Sequence, residues 1–306
     1  MALPPSPPLR IGTRGSPLAL VQARLVADLL RAAHGWPQSA VEIVPIVTTG
    51  DVVQDRPLAE IGGKALWTKE LELDRALLDG RTDLSVHSLK DVETIRPEAF
   101  VIAAMPARAD PRDRLIGAKR LDDLRQGAVI GTSSPRRAAQ LRARRPDFEI
   151  VPIRGNVHTR LAKVARGEVD ASLLAAAGLD RLGVDAGAPL EDMLTAPSQG
   201  AIGVEILTER TDLQPLLAAI DHAPTSRCVL AERAFLAALG GDCHSAVAAR
   251  AEFHGAEILL RAEILSADGR EVHVGARRLD GAATPAGLAE ELLAKASPAL
   301  RAMFGA

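Results

Sequence analysis

The chain has 306 residues, enough for two or three domains that each have a hydrophobic core. Apolar residues make up 47% and charged residues 25%, which excludes a disordered chain. The formal net charge of −2 argues against a nucleic-acid partner. Two cysteines are too few for a disulfide framework or a four-thiolate zinc site.

Neither end of the chain nor its interior shows a membrane signal. No uncharged apolar run approaches the ~18 residues needed to span a bilayer. The opening residues, MALPPSPPLR, lack the charged and apolar regions of a signal peptide. We therefore expect a cytoplasmic protein with no membrane partner.

Short apolar runs alternate with helical patterns through the first two thirds of the chain, as in βαβ units. The first predicted set has strands at 9–13, 41–47, 84–87 and 101–105 and helices at 17–34 and 68–79. A polar connector, PARADPRDR, then marks a domain boundary. The second set has strands at 129–131, 149–153 and 171–174 and helices at 134–144 and 157–166.

The two sets begin alike, with GTRGSPLALVQARL from Gly12 and GTSSPRRAAQLRA from Gly131. In both, a serine (Ser16 or Ser134) occupies the N-cap position, and a proline follows at the first helical position. A repeat this short can arise by chance, or it marks two domains of similar α/β build facing each other.

The last quarter has a different pattern. The helical segment TSRCVLAERAFLAAL puts Cys228, Ala231 and Phe235 on one face, so Cys228 is predicted to be a buried core residue. Three antiparallel strands at 246–253, 257–265 and 271–278 and a final helix at 284–301 predict a small α+β domain.

Chemistry-bearing residues gather where strands give way to helices. VHSLKDV, Val86 to Val92, ends a strand and presents Lys90 and Asp91, where open α/β sheets bind ligands. The pair is either a solvated ion pair or a carboxylate that stabilises a cation and moves protons.

Three arginine-bearing turns indicate anion binding. GTSSPRR places hydroxyls and two arginines at a helix N-terminus, and GTRGSP with Arg14 and Ser16 is similar. IRGNVHTR places Arg154 after a strand and Arg160 early in a helix. Arginine makes up 31 of the 37 basic residues; codon usage explains that excess but not its clustering. We expect a cleft that binds several carboxylates or phosphates.

The sequence disfavours nucleotides and metals as ligands. It has no phosphate-binding or dinucleotide glycine motif, and GGK at Gly62 to Lys64 is too short for one. The seven histidines lack metal-ligand spacing, so no metal site is expected. Cys243 lies in the glycine-opened stretch LGGDCHSAV, whereas Cys228 falls in a helix.

Eight ordered features are similar to those of the hydroxymethylbilane synthase (porphobilinogen deaminase) family over residues 9–300. They are IGTRGSPLAL, GGKALWTKELE, VHSLKDV, GTSSPRRAAQL, IRGNVHTRL, AAAGLDRLG, PSQGAIGVE and the late loop cysteine. The resemblance implies two α/β domains of periplasmic-binding-protein-like (type II) build around a cleft, plus a small α+β C-terminal domain. The implied domains are 1–103 with 199–221, then 104–198, then 222–306, which carries the cysteine.

The resemblance also implies the activity: a transferase joins four porphobilinogen units head to tail, with loss of ammonia, into the linear tetrapyrrole hydroxymethylbilane. The primer is a dipyrromethane cofactor held by a thioether to Cys243, which suits a partly exposed thiol nucleophile. Asp91 would be the catalytic carboxylate. A monomer is expected, with porphobilinogen as its small-molecule substrate.

By motif, a set of polar residues matches the family's ligands. The cofactor ligands are Lys64, Lys90, Asp91, Thr132, Ser133, Ser134, Arg136, Arg137 and Arg154. The substrate ligands are Arg14, Ser16, Arg154, Arg160, Arg181 and Gln199, the last at the turn where the chain returns to the first domain. Departures from the family pattern are Gly15, Glu60, Trp67, Glu93, Asp242 and Ala246.

Two other functions compete with this reading. A non-catalytic two-lobed protein could bind polycarboxylates or oxyanions, but it needs no thiol at its cleft. A lyase or transferase could act on a phosphorylated metabolite through Lys64 or Lys90, and a stable covalent dipyrrole would exclude it.

Overall fold

The structure, a computed structural model, describes residues 5–47, 71–242, 245–280 and 284–304. Its strands, in chain order, are β1 (Leu9–Arg14), β2 (Val41–Ile46), β3 (Leu84–Ser88), β4 (Phe100–Ala104), β5 (Asp113–Ile116), β6 (Val129–Gly131), β7 (Glu149–Val151), β8 (Ala171–Ala175), β9 (Ala188–Leu190), β10 (Ile202–Leu207), β11 (Val247–His254), β12 (Glu257–Leu265) and β13 (Val272–Leu279).

The α-helices complete these α/β and α+β units. They are α1 (Pro17–His34), α2 (Leu71–Leu78), α3 (Pro135–Arg144), α4 (Val157–Ala165), α5 (Ala176–Arg181), α6 (Gln214–Ala218), α7 (Ala223–Ala238), α8 (Pro285–Lys295) and α9 (Pro298–Ala302). Across the described stretches, none of them is both long and apolar enough to cross a membrane.

The chain forms two compact units, one comprising 1–108 and 201–226 and the other 109–200 and 227–306. In the described residues, the first unit's sheet has the order β2-β1-β3-β10-β4. The second unit contains a sheet of order β7-β6-β8-β5-β9 and the antiparallel sheet β11-β12-β13.

The two larger sheets share one topology. In each, three parallel strands are followed by an antiparallel one, β10 in the first sheet and β5 in the second, which pairs on its other side with an edge strand. The prediction of two similar α/β domains and a small α+β C-terminal domain is therefore confirmed. The three-domain boundaries stay a prediction, because the two compact units divide the chain differently.

Helix capping explains where α1 and α3 begin. Ser16 and Ser134 are the N-caps, and their side-chain oxygens accept from the amides of Ala19 and Arg137. Helix α1 ends at Gly35, which adopts the left-handed conformation that glycine tolerates. The repeated Ser-Pro pattern therefore marks equivalent positions in the two sheets.

The C-terminal α+β part has a core of its own. Phe235 from α7, Leu260 and Ile264 from β12 and Leu288 from α8 are fully buried there. Cys228 belongs to this core, as predicted. The single final helix predicted at 284–301 is wrong: Ser297 caps a new helix, α9, because Pro298 cannot continue the helix before it.

Candidate active site

Lys90 and Asp91 lie on a short 3₁₀ turn, Leu89–Asp91, directly after β3. Leu89 and Val92 are buried on either side of the pair, while Lys90 and Asp91 are half-buried. The amide of Leu89 donates to the carbonyl of Ala201 at 3.1 Å, and that of Val92 donates to the carbonyl of Leu89 at 3.3 Å. The turn is anchored, and it holds an ammonium and a carboxylate at the end of a strand.

Arg14 and Ser16 lie at the same edge of the first sheet. Strands β1 and β3 run parallel with Ile11 opposite Leu84, so both end on the edge that carries Asp91, the carboxyl edge of that sheet. Arg14 is half-buried there. The hydroxyl of Ser16 already accepts the amide of Ala19 at 3.3 Å, so its first role is to cap α1.

A buried group of charges lies beneath this turn, and sequence reasoning missed it. Glu205 on β10 is fully buried and accepts two bonds from Arg96, at 2.8 and 3.1 Å. Arg96 also donates to Asp74 of α2 at 2.6 Å, and Nε2 of His87 lies 3.2 Å from Glu205. Burial raises the pKa of Asp74 even beside Arg96. Burial alone would raise the pKa of Glu205, but His87 and Arg96 hold it below its ordinary value.

In the second unit, the predicted hydroxyl cluster builds a turn. Thr132 is buried, and its Oγ1 accepts the amide of Ser134 at 3.2 Å. Ser133 donates to the carbonyl of Ile153 at 2.8 Å and accepts its amide at 3.2 Å. Because Ser134 caps α3, all three hydroxyls have partners in the protein. They fix the N-terminus of α3 beside the strand end that leads to Arg154.

Arg136 and Arg137, which the sequence predicts to be part of an anion site, already have an anionic partner within the protein. Both are buried, and both donate to Asp113 on β5, at 2.8 Å from Arg136 and 2.6 and 3.2 Å from Arg137. Arg136 also donates to Gln140 and to the carbonyl of Leu194, each at 2.8 Å. These guanidinium groups neutralise a carboxylate of the protein itself, and their role as cofactor ligands stays a prediction.

Asp113 is the centre of that arrangement. Burial alone would raise its pKa, but Arg136 and Arg137 outweigh burial and hold it well below the ordinary value. Gln199 adds a bond to Asp113 at 2.7 Å and another to the carbonyl of Pro111 at 2.6 Å. Gln199 is fully buried, and the unit's first segment ends at the next residue, Gly200.

The other predicted arginines are more accessible. Arg154 is exposed, just beyond β7, and Arg160 is half-buried on α4 with its Nε donating to the carbonyl of Gly155 at 3.0 Å. Arg181, at the end of α5, donates to the carbonyl of Gly200 at 2.7 Å, and burial lowers its pKa to about 10. Strands β6, β7 and β8 run parallel, so their following segments share one edge of the second unit's sheet. Three arginines and the Ser133–Ser134 turn therefore gather on that edge.

Two predicted residues, Lys64 and Cys243, lie outside the described residues, so their roles stay predictions. The sequence could not have indicated Asp113 or Glu205 as charge partners. Asp113 follows Pro-Arg in a polar connector and Glu205 sits in the PSQGAIGVE segment, and neither pattern reports burial.

The fold and these residues define a class: a two-unit α/β protein with cationic strand-end turns and one anchored carboxylate. Comparison with known proteins gives the family. Residues 9–215 match the model "Porphobilinogen deaminase, dipyromethane cofactor binding domain", and 226–296 match "Porphobilinogen deaminase, C-terminal domain". The chain belongs to the porphobilinogen deaminase family.

Curated relatives match along nearly the whole chain. Porphobilinogen deaminase from Sphingopyxis alaskensis is 56% identical over 98% of both chains. That from Paracoccus denitrificans is 51% identical over 95% of this chain and 96% of its own. An ABC-transporter periplasmic substrate-binding protein from Coxiella burnetii aligns with 73% of this chain and 94% of its own, at 19% identity and a TM-score of 0.42, too distant to bear on function.

The residues present fit a dipyrromethane. Each of its pyrroles carries an acetate and a propionate, and the second unit's carboxyl edge offers guanidinium groups at Arg154 and Arg160. Nε of Arg136 is buried without a hydrogen-bond acceptor, a donor that a carboxylate could satisfy. These donors are guanidinium groups, which form strong hydrogen bonds to carboxylate oxygens, and the dipyrromethane carries four carboxylates.

Proposed function

We propose that this protein joins four porphobilinogen molecules head to tail, with release of one ammonia for each, and that water then cleaves the chain from the primer to give hydroxymethylbilane. The observation that carries the proposal is the anchored turn with Asp91, within the segment that matches the family's cofactor-binding domain. When bound to Cys243, the dipyrromethane supplies the free α-carbon to which the first porphobilinogen is joined.

Asp91 is the proposed catalytic residue. As ammonia leaves the aminomethyl group of porphobilinogen, positive charge develops on the pyrrole, and the Asp91 carboxylate stabilises it. After the new carbon–carbon bond forms, the ring whose free α-carbon made that bond must lose the proton on that carbon, and Asp91 accepts and relays it. Its half-buried position suits both roles, because partial exclusion of water strengthens the electrostatic interaction.

Cationic side chains bind the acetate and propionate groups. The proposed partners are partly accessible: Arg14, Lys90, Arg154 and Arg160. Arg181 belongs with them, and its pKa of about 10 keeps it charged at neutral pH. Lys64 is a further proposed ligand, from the motif alone. A growing chain gains two carboxylates with each ring, which accounts for this number of cations.

A second set of polar residues has a structural role in this proposal: Arg136, Arg137, Gln199 and the hydroxyls of Thr132, Ser133 and Ser134. They hold the second unit's carboxyl edge in shape, so that Arg154 and Arg160 are presented together. Arg136 would bind a cofactor carboxylate through Nε, which has no acceptor in the protein, and would keep its bonds to Asp113 and Leu194.

The intact mass of the purified protein tests the proposal. We expect an excess equal to one dipyrrole, absent from Cys243→Ser and retained in Cys228→Ser, the matched control because Cys228 lies in a helical core. Porphobilinogen added to the wild type should release ammonia and give hydroxymethylbilane. Porphobilinogen that binds and is recovered unchanged would contradict the proposal and support a polycarboxylate-binding protein.

The proposal also includes the location, oligomeric state and partners of the enzyme. It works in the cytoplasm as a monomer. It has no nucleic-acid partner, in keeping with its net charge of −2. Its three proposed domains are 1–103 with 199–221, 104–198 and 222–306.

A further inference from the structure

Asp91 lies inside a chain segment whose two ends meet at one buried carboxylate. His87, four residues before Asp91, has Nε2 3.2 Å from Oε2 of Glu205. Arg96, five residues after it, donates Nε to Oε1 of Glu205 at 2.8 Å and Nη2 to Oε2 at 3.1 Å. Residues 87–96 therefore form a loop closed by a side chain of β10, a strand more than a hundred residues further along the chain.

Arg96 is fixed by more than this carboxylate. Its Nη2 donates to Asp74 of α2 at 2.6 Å, Nη1 lies 3.4 Å from Glu93, and its guanidinium stacks 5.0 Å from the centre of the Phe100 ring. The Arg96 side chain is only 7% exposed and that of Glu205 is fully buried. Because a planar guanidinium binds two carboxylates in fixed directions, the position of the chain at residue 96 is closely determined.

The buried charges depend on one another. The cluster contains two carboxylates, those of Glu205 and Asp74. The Arg96 guanidinium contacts both of them, and the His87 imidazole lies beside Glu205. Removing Arg96 leaves two acidic groups facing each other with one imidazole, so they separate, take up a proton or admit water. Each outcome loosens the far end of the loop that carries Asp91.

We propose that Arg96 and Glu205 are positioning residues for Asp91: they close the 87–96 loop and fix the direction of the catalytic carboxylate. This inference rests on the proposed role of Asp91. Neither Arg96 nor Glu205 touches substrate; both act through the turn.

Hydrogen exchange of the holo-protein tests the loop directly. The reporters are the amides of Leu89 and Val92, whose acceptors lie at Ala201 and within the turn. Arg96→Met should speed exchange in peptides spanning 87–96 by about tenfold or more, because local opening sets exchange in folded proteins. The control is Arg210→Met. Arg210 also binds two carboxylates, Asp212 and Asp83, but Asp83 lies at the opposite end of β3. That variant should leave 87–96 unchanged.

Kinetics of the same variants give the second readout. A displaced carboxylate should lower kcat for porphobilinogen by about tenfold or more, while KM changes by less than about threefold, since remote cations bind the substrate. Arg96→Lys should recover part of kcat, because lysine keeps the charge but contacts one carboxylate at a time.

Three outcomes separate the two proposals. Normal exchange in 87–96 and normal kcat in Arg96→Met would overturn the positioning role. Equal loss of kcat in Arg96→Met and Arg210→Met would also overturn it, because the effect would then be general destabilisation. If exchange in 87–96 is faster in Arg96→Met than in the wild type, but the wild type makes no product from porphobilinogen, the proposed function is refuted and the positioning of the loop by Arg96 is not.

Discussion

Replacing Asp113 with asparagine removes the charge that balances two buried guanidinium groups. Asp113 accepts one bond from Arg136, two from Arg137 and one from Gln199, at 2.6–3.2 Å. Asparagine has nearly the same volume, but one of its two side-chain positions becomes a donor. That amide would face donors, and both arginines would keep their charge with no carboxylate beside them, bonded only to neutral acceptors such as the carbonyls of Leu194 and Leu173.

The expected cost follows from this geometry. Removing one partner of a fully buried ion pair typically destabilises a protein by about 3–5 kcal/mol, because the remaining charge stays desolvated. Asp113 is fully buried, and Arg136 and Arg137 are 3% and 5% exposed, so solvent screening does not reduce that figure much. We therefore expect Asp113→Asn to lower the free energy of unfolding by about 3–5 kcal/mol.

Urea unfolding followed by circular dichroism provides the measurement, with Asp122→Asn as the control. Asp122 pairs with Arg120 at 3.7 Å on the surface, its side chain is 76% exposed, and its removal should cost at most about 0.5 kcal/mol. A loss below about 1 kcal/mol in Asp113→Asn would refute the reasoning, since such a value is typical of an exposed pair.

The dependence of stability on pH provides a second test of the charge on Asp113. The folded-state pKa of Asp113 lies below the unfolded-state value, so its contribution is present above the unfolded-state pKa and is lost as pH falls. The difference in stability between wild type and Asp113→Asn should therefore be constant near neutral pH and narrow below about pH 4. A difference that widened in acid would contradict the assignment.

Two further predictions concern turnover. Asp91→Asn keeps the size and hydrogen-bonding reach of the side chain but loses its charge. Single-turnover deamination by the holo-protein should therefore slow by at least ~10²-fold, while the first porphobilinogen still binds. Asp91→Glu should keep part of the rate, and near-normal rates in Asp91→Asn would refute the mechanism. Arg154→Ala should weaken carboxylate binding by ~1.5–3 kcal/mol and accumulate partly elongated enzyme detectable by mass. Arg166→Ala, which removes an exposed partner of Glu168, should not; normal elongation in Arg154→Ala would mean that Arg154 is only a solvated side chain.

Local signals in the sequence predicted most of the fold. Helix α1 begins and ends where it was predicted, at Pro17 and His34, and its start follows from the Ser-Pro pair. Strand ends were within a few residues, but three strands were missed, namely β5, β9 and β10. Strands β5 and β9 are only four and three residues long, and β10 is buried along nearly its whole length, so it shows no alternation of apolar and polar residues. Helix caps and hydrophobic periodicity depend on residues that are close together in the chain, so both can be recognised in a single sequence.

The candidate site was less predictable, because charge pairing is a property of the folded chain. Arg136 and Arg137 follow three hydroxyl residues at a helix start, a pattern typical of an anion site, yet their partner Asp113 lies more than twenty residues earlier. The place of Asp91 directly after a strand was predictable from the sequence, while its catalytic role stays a prediction. Glu205 was not, because the ion pair with Arg96 depends on the antiparallel pairing of β10 with β3 and β4.

The strand order has a consequence for synthesis of the chain on the ribosome. Within the described residues, β4 hydrogen-bonds to β10 alone, and β10 is made about a hundred residues after β4. At ~5–20 residues per second, Phe100–Ala104 waits for roughly 5–20 s without a sheet partner. Glu205 arrives on that same late strand, so Arg96 and His87 emerge before the carboxylate they share. The segment bearing Asp91 can thus be closed only after the first segment of the second unit has been translated.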